Sequence, residues 1–337
     1  MEPFSFSRAT SVSHAIGAAA RACACAAQQG AEVRFIAGGT TLLDLMKLNV
    51  EHPQQVIDIN HLPLADVEKL SDGRLKIGAL VRNSDLAHHP IVERDYAVLS
   101  EALLAGASTQ LRNMATTGGN LLQRTRCAYF RDAHADMPCN KRKPGSGCSA
   151  ITGANRNLAI LGASEYCIAT NPSDMNVALT ALEAIVVIEG TQGERQVPIG
   201  EFFLLPGDTP QRETVMRPGD LITHVVLPPP FEGARSHYLK LRDRASYEFA
   251  LASVAVVFAE QAGKISHIRI ALGGVATKPW RSQEAEHALH KQPPTPDNFA
   301  AAAVAALRDA QRQSENGFKV DLARRCLTHA LSIVANV

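Results

Sequence analysis

The stretch Glu32–Leu48, EVRFIAGGTTLLDLMKL, sets the reading of the chain. Glu32–Ala37 has the short, β-prone pattern of a strand, and Thr41–Leu48 has the apolar spacing of a helix. The turn between them, Gly38-Gly39-Thr40, carries no bulky side chain. Backbone N–H groups can therefore approach an anion closely there, at a helix start that favours negative charge. A second turn of the same kind is Thr116-Thr117-Gly118-Gly119-Asn120. Two double-glycine turns beside threonine hydroxyls suit a pyrophosphate better than either does alone. Asp58 closes a strand about 20 residues after the first turn, as in a dinucleotide-binding βαβ unit. Yet neither turn is G-x-G-x-x-G or G-x-x-x-x-G-K-[ST], so the standard dinucleotide and P-loop motifs are absent. A third piece, Asn171-Pro172-Ser173-Asp174, joins an expected strand at Tyr166–Thr170 to an expected helix at Met175–Ala184. It reads as a helix cap, or as a site where Asp174 faces a ligand hydroxyl.

Working outward, strands are expected at Gln55–Ile59, Leu75–Ala79, Ile185–Glu189 and Glu194–Pro198. Helices are expected from Asn83, capped by Asn83 or Ser84, and over Val92–Ala107. Leu227-Pro228-Pro229-Pro230 can continue neither a helix nor a central strand. It divides residues 1–228 from a smaller domain at 234–337. That domain has strands at His237–Arg242, Ala250–Ala259 and Ile265–Leu272, then helices at Ser282–His290, Pro296–Ser314 and Lys319–Val334. The fold class is α+β.

The longest apolar run, Phe249–Ala259, has 11 residues, against the ~20 of a membrane span. The Ala-rich N-terminus opens on Glu2, lacks a basic leader and carries Arg21, so it reads as a first helix rather than a signal peptide. Lys+Arg 34 against Asp+Glu 33 gives no polycation for nucleic acid, and 46% hydrophobic residues exclude a disordered chain.

Seven cysteines are too few for a disulfide scaffold. Cys23, Cys25 and Cys326 read as buried thiols in helices. Cys127, Cys139, Cys148 and Cys167 follow the spacing C-x11-C-x8-C-x18-C, the first three inside a poorly periodic segment from Ser108 to about Gly162. Paired zinc knuckles and ferredoxin spacing are both missing. Zinc, a [4Fe–4S] cluster, disulfides and free thiols all remain open on spacing alone. Arg124, Arg126, Arg131, Lys141, Arg142 and Lys143 outnumber Asp132 and Asp136 by four, which would favour an anionic cluster. His134 reads as a surface residue.

Five ordered motifs resemble one family: IAGGTTLLDLMK (Ile36–Lys47), QLRNMATTGGNL (Gln110–Leu121), NPSDMNVAL (Asn171–Leu179), YLKLRDRASYEFALASVA (Tyr238–Ala255) and ALGGVATKPWR (Ala271–Arg281). The chain is similar to FAD-binding subunits of the molybdenum hydroxylase (xanthine dehydrogenase) family. The segment Thr125–Cys148, TRCAYFRDAHADMPCNKRKPGSGC, most resembles the FAD subunit of bacterial periplasmic aldehyde oxidoreductases. The resemblance implies a two-subdomain FAD fold of the vanillyl-alcohol oxidase (PCMH) type, followed by a small domain of the CO dehydrogenase flavoprotein C-terminal type. It implies FAD held by Ile36, Ala37, Gly38, Gly39, Thr40, Thr41 and Leu42 at the pyrophosphate and by Thr116, Gly118, Gly119 and Asn120 at the second turn. Asp174 would bond FAD hydroxyls, Lys240 would lie near the flavin, and Leu221 or Ile222 would give an apolar flavin contact.

Asn120 and Ser173 are 53 positions apart, far more than in most members. The resemblance implies that this insertion, at about 121–167, carries a [4Fe–4S] cluster on Cys127, Cys139, Cys148 and Cys167. It also implies two partners, a small [2Fe–2S] subunit and a large molybdenum-cofactor subunit that oxidises an aldehyde, while FAD relays electrons to an external acceptor. No catalytic residue is then required on this chain, and no nucleic-acid or membrane partner is expected. The alternative is the flavin subunit of a 4-hydroxybenzoyl-CoA reductase-like enzyme, with ferredoxin docking on Lys141, Arg142 and Lys143. The expected location is the periplasm, reached folded with a signal-bearing partner, or else the cytoplasm.

Overall fold

The computed structural model describes residues 1–20 and 31–337, so Cys23 and Cys25 lie outside the described residues. Strands β1 (Ser5–Arg8), β2 (Val33–Ile36) and β3 (Gln55–Asp58) form a parallel sheet in the order β1-β3-β2. Parallel neighbours need a crossover, and the described part of one is the helix Val12–Ala20, which buries Ala15, Ile16 and Ala19. Strands β4 (Val67–Lys69), β5 (Leu75–Gly78), β6 (Ile185–Gly190), β7 (Gly193–Pro198) and β8 (Leu221–Leu227) form an antiparallel sheet, β4-β5-β8-β6-β7. The chain thus visits the second sheet, leaves it between Gly78 and Ile185, and returns. The second glycine turn and the cysteine segment lie in that excursion.

The C-terminal sheet has β9 (Arg235–Leu241), β10 (Ala252–Gln261), β11 (Lys264–Gly273) and β12 (Trp280–Arg281) in the order β12-β11-β10-β9. The apolar run of β10 follows from burial on both faces, with alternate residues facing opposite sides. Ala252, Val254, Val256 and Phe258 pack on the helices Gln283–Leu289, Pro296–Ala306 and Phe318–Ala335. Ala255 and Val257 pack into the larger domain's core, with Leu99 and Leu179.

Four expectations change. Val92–Ala107 is two helices, Pro90–Asp95 and Ala97–Ala105, because Tyr96 leaves the helical region at φ −136°. Its hydroxyl donates to Pro228 O at 2.8 Å, tying this corner to the proline linker. Helix Asn83–Ala87 follows Arg82 and has no side-chain cap, so neither Asn83 nor Ser84 serves as one. Tyr166–Thr170 is irregular, with only an isolated Ser164–Cys167 pairing in place of a ladder. The helix from Pro296 ends at Ala306 rather than Ser314, since Gln311 N donates to Ile160 O at 2.7 Å and Gln313 N to Asn316 Oδ1 at 2.7 Å.

Those last contacts show that the cysteine-bearing segment reaches the C-terminal domain. Ile160 and Leu161 belong to that domain's core. Lys319, fully buried, donates to Asn157 O and Leu158 O at 3.1 Å each and to Gly274 O at 2.5 Å. Among the described residues no helix is long and apolar enough to cross a membrane.

Candidate functional site: a two-chambered cleft and a cysteine segment

The first glycine turn packs against the end of the helix that precedes the second. A Cβ on Gly38 would stand 1.8 Å from Met114 O, so only glycine lets the first turn lie against the segment that leads into the second. Gly39 takes φ +73°, a left-handed conformation that glycine adopts at least cost. The second turn opens the helix Thr117–Leu121, where the Thr116 hydroxyl caps by accepting from Gly119 N at 3.2 Å. Gly118 N donates to Ala79 O at 2.8 Å, seating this turn on the end of β5.

The third piece joins the second. Ser173 caps the helix Asp174–Ala181 by accepting from Asn176 N at 3.1 Å, while its hydroxyl donates to Asn120 Oδ1 at 2.8 Å. Asp174 is both cap neighbour and ion-pair partner. Its Oδ2 takes Lys240 Nζ at 2.8 Å and its Oδ1 takes the Tyr238 hydroxyl at 2.5 Å. Burial first, and the Asp174 charge second, push the Tyr238 phenol well above its ordinary range, so it stays a donor.

Between these pieces runs a cleft of two chambers. The first is lined by Ile36 to Leu42, Thr116, Gly118, Gly119 and Ile222. The second is lined by Asn120, Asp174 and Lys240. Thr40, Thr41 and Gly119 line both. Two chambers joined at a neck suit a dinucleotide, with its pyrophosphate where the chambers share Thr40, Thr41 and Gly119. Every cofactor-binding position inferred from the sequence lines one chamber or the other. Ile222 lines the first chamber and Lys240 the second. Asp174 already holds two donors, leaving it part of its accepting capacity for a ligand.

Sequence reasoning missed Arg34, Leu80 and Met216 in the first chamber and Asn83, Arg112 and Phe249 in the second. None belongs to a glycine turn, and only the alternation of β2, which points Arg34 and Ile36 to one side, gave a signal.

The four cysteines are gathered. Cys127 and Cys167 are buried in one apolar cluster with Phe130, Leu158 and Ile168, and Cys139 and Cys148, whose backbones pair in an isolated β-bridge, pack against it with free thiols. Burial pushes the Cys127 thiol up to about 11, against the pull of the Phe130 and Tyr129 backbone. Cys326 sits apart as a core thiol, pushed up to about 12 by burial. Among the described residues no group of three or more His, Cys, Asp or Glu side chains stands close enough to hold a metal ion.

The expected excess positive charge is largely cancelled. Arg126 and Arg131 both pair with Asp44, at 3.0 and 2.9 Å. Arg124 pairs with Glu51 at 2.7 Å and with Glu213 at 3.2 Å, and Lys141 pairs with Glu213 at 3.0 Å. Lys141 is thus a buried ion-pair partner rather than part of a docking face. These carboxylates lie outside the segment, so local charge counting could not see them. His134 is exposed.

Comparison with known proteins agrees with this geometry. Residues 2–230 match the family model described as the FAD binding domain in molybdopterin dehydrogenase. Residues 237–334 match the CO dehydrogenase flavoprotein C-terminal domain. The chain is 51% identical over 310 residues to the aldehyde oxidoreductase FAD-binding subunit PaoB of Escherichia coli, covering 92% of this chain and 93% of that one. It is 30% identical over 253 residues to the glyceraldehyde dehydrogenase medium chain of Sulfolobus acidocaldarius, covering 75% and 72%. Among solved structures, a chain of the carbon monoxide dehydrogenase of Hydrogenophaga pseudoflava superposes with a TM-score of 0.75 at 27% identity, covering 99% of this chain and 98% of that one. Cleft, domain order and relatives agree: the chain belongs to the FAD-binding subunits of the molybdenum hydroxylase family.

Proposed function

We propose that this chain is the electron-transfer FAD subunit of a molybdenum-containing aldehyde oxidoreductase. The observation that carries the reading is the single cleft that gathers both glycine turns, Asp174 and Lys240. FAD, when bound, supplies one- and two-electron chemistry between single-electron carriers and an acceptor. The chain's own part is to bind and orient. The turns at Gly38-Gly39 and Gly118-Gly119 present backbone at the neck. Lys240, held by Asp174 and Ala105 O, places a fixed positive charge in the wall of the second chamber. A small subunit with [2Fe–2S] clusters delivers the electrons, and a large subunit with the molybdenum cofactor takes them from the aldehyde.

In the same reading, Cys127, Cys139, Cys148 and Cys167 are the ligands of a [4Fe–4S] cluster. Support comes from four thiols collected in one apolar pocket, together with the likeness to the aldehyde oxidoreductase subunit. A cubane interposes its own iron and sulfide, so its thiolates stand farther apart than those around a single ion. Its chemistry would be single-electron storage beside the cleft. The complex works in the periplasm, exported folded with a signal-bearing partner.

The test is co-purification of the chain with its two partners, followed by addition of an aldehyde. Bleaching of the flavin absorbance is expected, and a chain purified without flavin would sink the reading. Analysis should give about four iron and four sulfide per chain, and Cys139→Ser should remove them. Zinc without sulfide, or iron that survives the substitution, overturns the cluster. Fractionation that leaves the complex in the cytoplasm overturns the location.

A further inference from the structure

Arg34 and Arg124 both line the first chamber, and both are committed elsewhere. Arg34 Nη1 donates to Glu51 Oε2 at 2.8 Å, and Arg124 Nη1 donates to the other oxygen, Oε1, at 2.7 Å. Arg124 also turns Nε and Nη2 to Glu213 Oε1, at 3.3 and 3.2 Å. Lys141 Nζ meets that same oxygen at 3.0 Å. The result is an alternating chain of charges, Arg34–Glu51–Arg124–Glu213–Lys141. Its centre is closed to water, with side-chain exposures of 1% at Glu51 and 5% at Arg124. Lys141 stands two residues from Cys139 and shares a small cavity with Cys167.

A second tie runs alongside. The helix Leu42–Lys47 starts at the first glycine turn. Its Asp44 accepts from Arg126 and Arg131, which flank Cys127. Its Leu45 lines the first chamber and also packs in the cysteine cluster.

Buried charges in a low-dielectric interior act together, since removing one member leaves its partners uncompensated. An anionic ligand in the first chamber changes the field at Arg34 and Arg124, and hence their hold on Glu51 and Glu213. We infer that the dinucleotide chamber and the cysteine segment are energetically coupled through this ion chain, with Glu213 as the positioning residue that joins them. FAD binding orders residues 139–148, and ordering of those residues tightens FAD binding by the same factor, as linkage requires. The inference rests on FAD occupying the cleft and is independent of what the four cysteines hold.

The experiment is amide hydrogen exchange, read by mass spectrometry over residues 139–148, on the full chain with FAD bound and after FAD is stripped. In the native chain FAD should slow exchange about tenfold, a typical coupling factor. Glu213→Gln should abolish that dependence and weaken FAD binding by a similar factor, and Glu213→Asp should restore part of both. A purely structural role for Glu213 would change exchange equally in both states. If Glu213→Gln does not fold, Lys141→Met, which leaves the Glu213–Arg124 pair in place, should also lose the dependence. Equal exchange with and without FAD in the native chain overturns the coupling, as does a dependence that survives these variants. A chain that takes up no FAD overturns the functional reading instead.

Discussion

The glycine turns and the cysteine segment lie against the same short helix, Leu42–Lys47, and are built by opposite means. The turns are made of backbone. Gly38 lies against Met114, Gly118 hangs from Ala79, and Thr116 caps its own helix. Gly38 and Gly118 meet backbone that a side chain would keep away. The cysteine segment has little regular structure and borrows its order from far away. Asp44 and Glu51, Glu213, and Glu315 reach it from three separate stretches of chain. A backbone-built site tolerates no added atom, whereas a side-chain-built one fails when a distant partner is lost.

The largest test of that contrast is Gly38→Ala. A methyl group facing a carbonyl oxygen at 1.8 Å forces the two turns apart. A cost of about 3 kcal/mol is expected, with most of the bound flavin lost, measured by unfolding and by flavin absorbance per chain. Normal flavin content would show that the turns are not a rigid neck.

Next is Asn140→Ala, inside the cysteine segment. Asn140 is buried, donates to Tyr166 O at 3.0 Å and accepts from Gly147 N at 2.9 Å. Removing it orphans both groups, for about 2 kcal/mol. If the global unfolding free energy does not move, the segment folds apart from the rest and the contrast is sharper than drawn.

Thr116→Ala removes only a cap. It should cost about 1 kcal/mol, and a weaker affinity for FAD, read by fluorescence titration, would show that the cap also sets the neck.

The smallest effect is Asp44→Asn. Burial works to raise the Asp44 pKa, but the hydrogen bond and charge of Arg131, then Arg126, outweigh it and hold the carboxyl below its usual value. A depressed carboxylate contributes stability above the ordinary carboxylate range and loses it as pH falls through the lowered value. The native chain should therefore lose stability below about pH 4 more steeply than the Asn variant, by roughly 0.5–1 kcal/mol after solvent screening. Identical acid limbs in denaturant unfolding would mean that Asp44 does not bind the helix to the segment.

What could be read from sequence follows the same division. Both glycine turns, the Ser173 cap and the strand and helix that flank the first turn were legible, because turn chemistry and periodicity are local. The C-terminal sheet was legible because the doubly buried β10 has no polar face to confuse it. Val92–Ala107 misread because Tyr96 answers to Pro228, 132 positions away. The surplus charge around the cysteines misread because Glu51 and Glu213, one on each side of the segment in sequence, cancel it only in three dimensions. Arg34 lies outside every motif, and Tyr238 opens one without showing its partner; they matter through Glu51 and Asp174, which the fold alone brings to them.

The proline linker looks like the place to cut this protein in two, and the insertion says otherwise. Ile160 and Leu161 complete the C-terminal core, Leu161 pairs with Ala276, and Lys319 closes over Asn157 and Leu158. A fragment beginning after Pro230 would lack a wall of its own interior, and the complementary fragment would display that wall to solvent. The two pieces are natural halves of a split protein. Expressed separately, each presents the surface the other needs, and reassembly of the halves becomes an assay for whether the cysteine segment has folded.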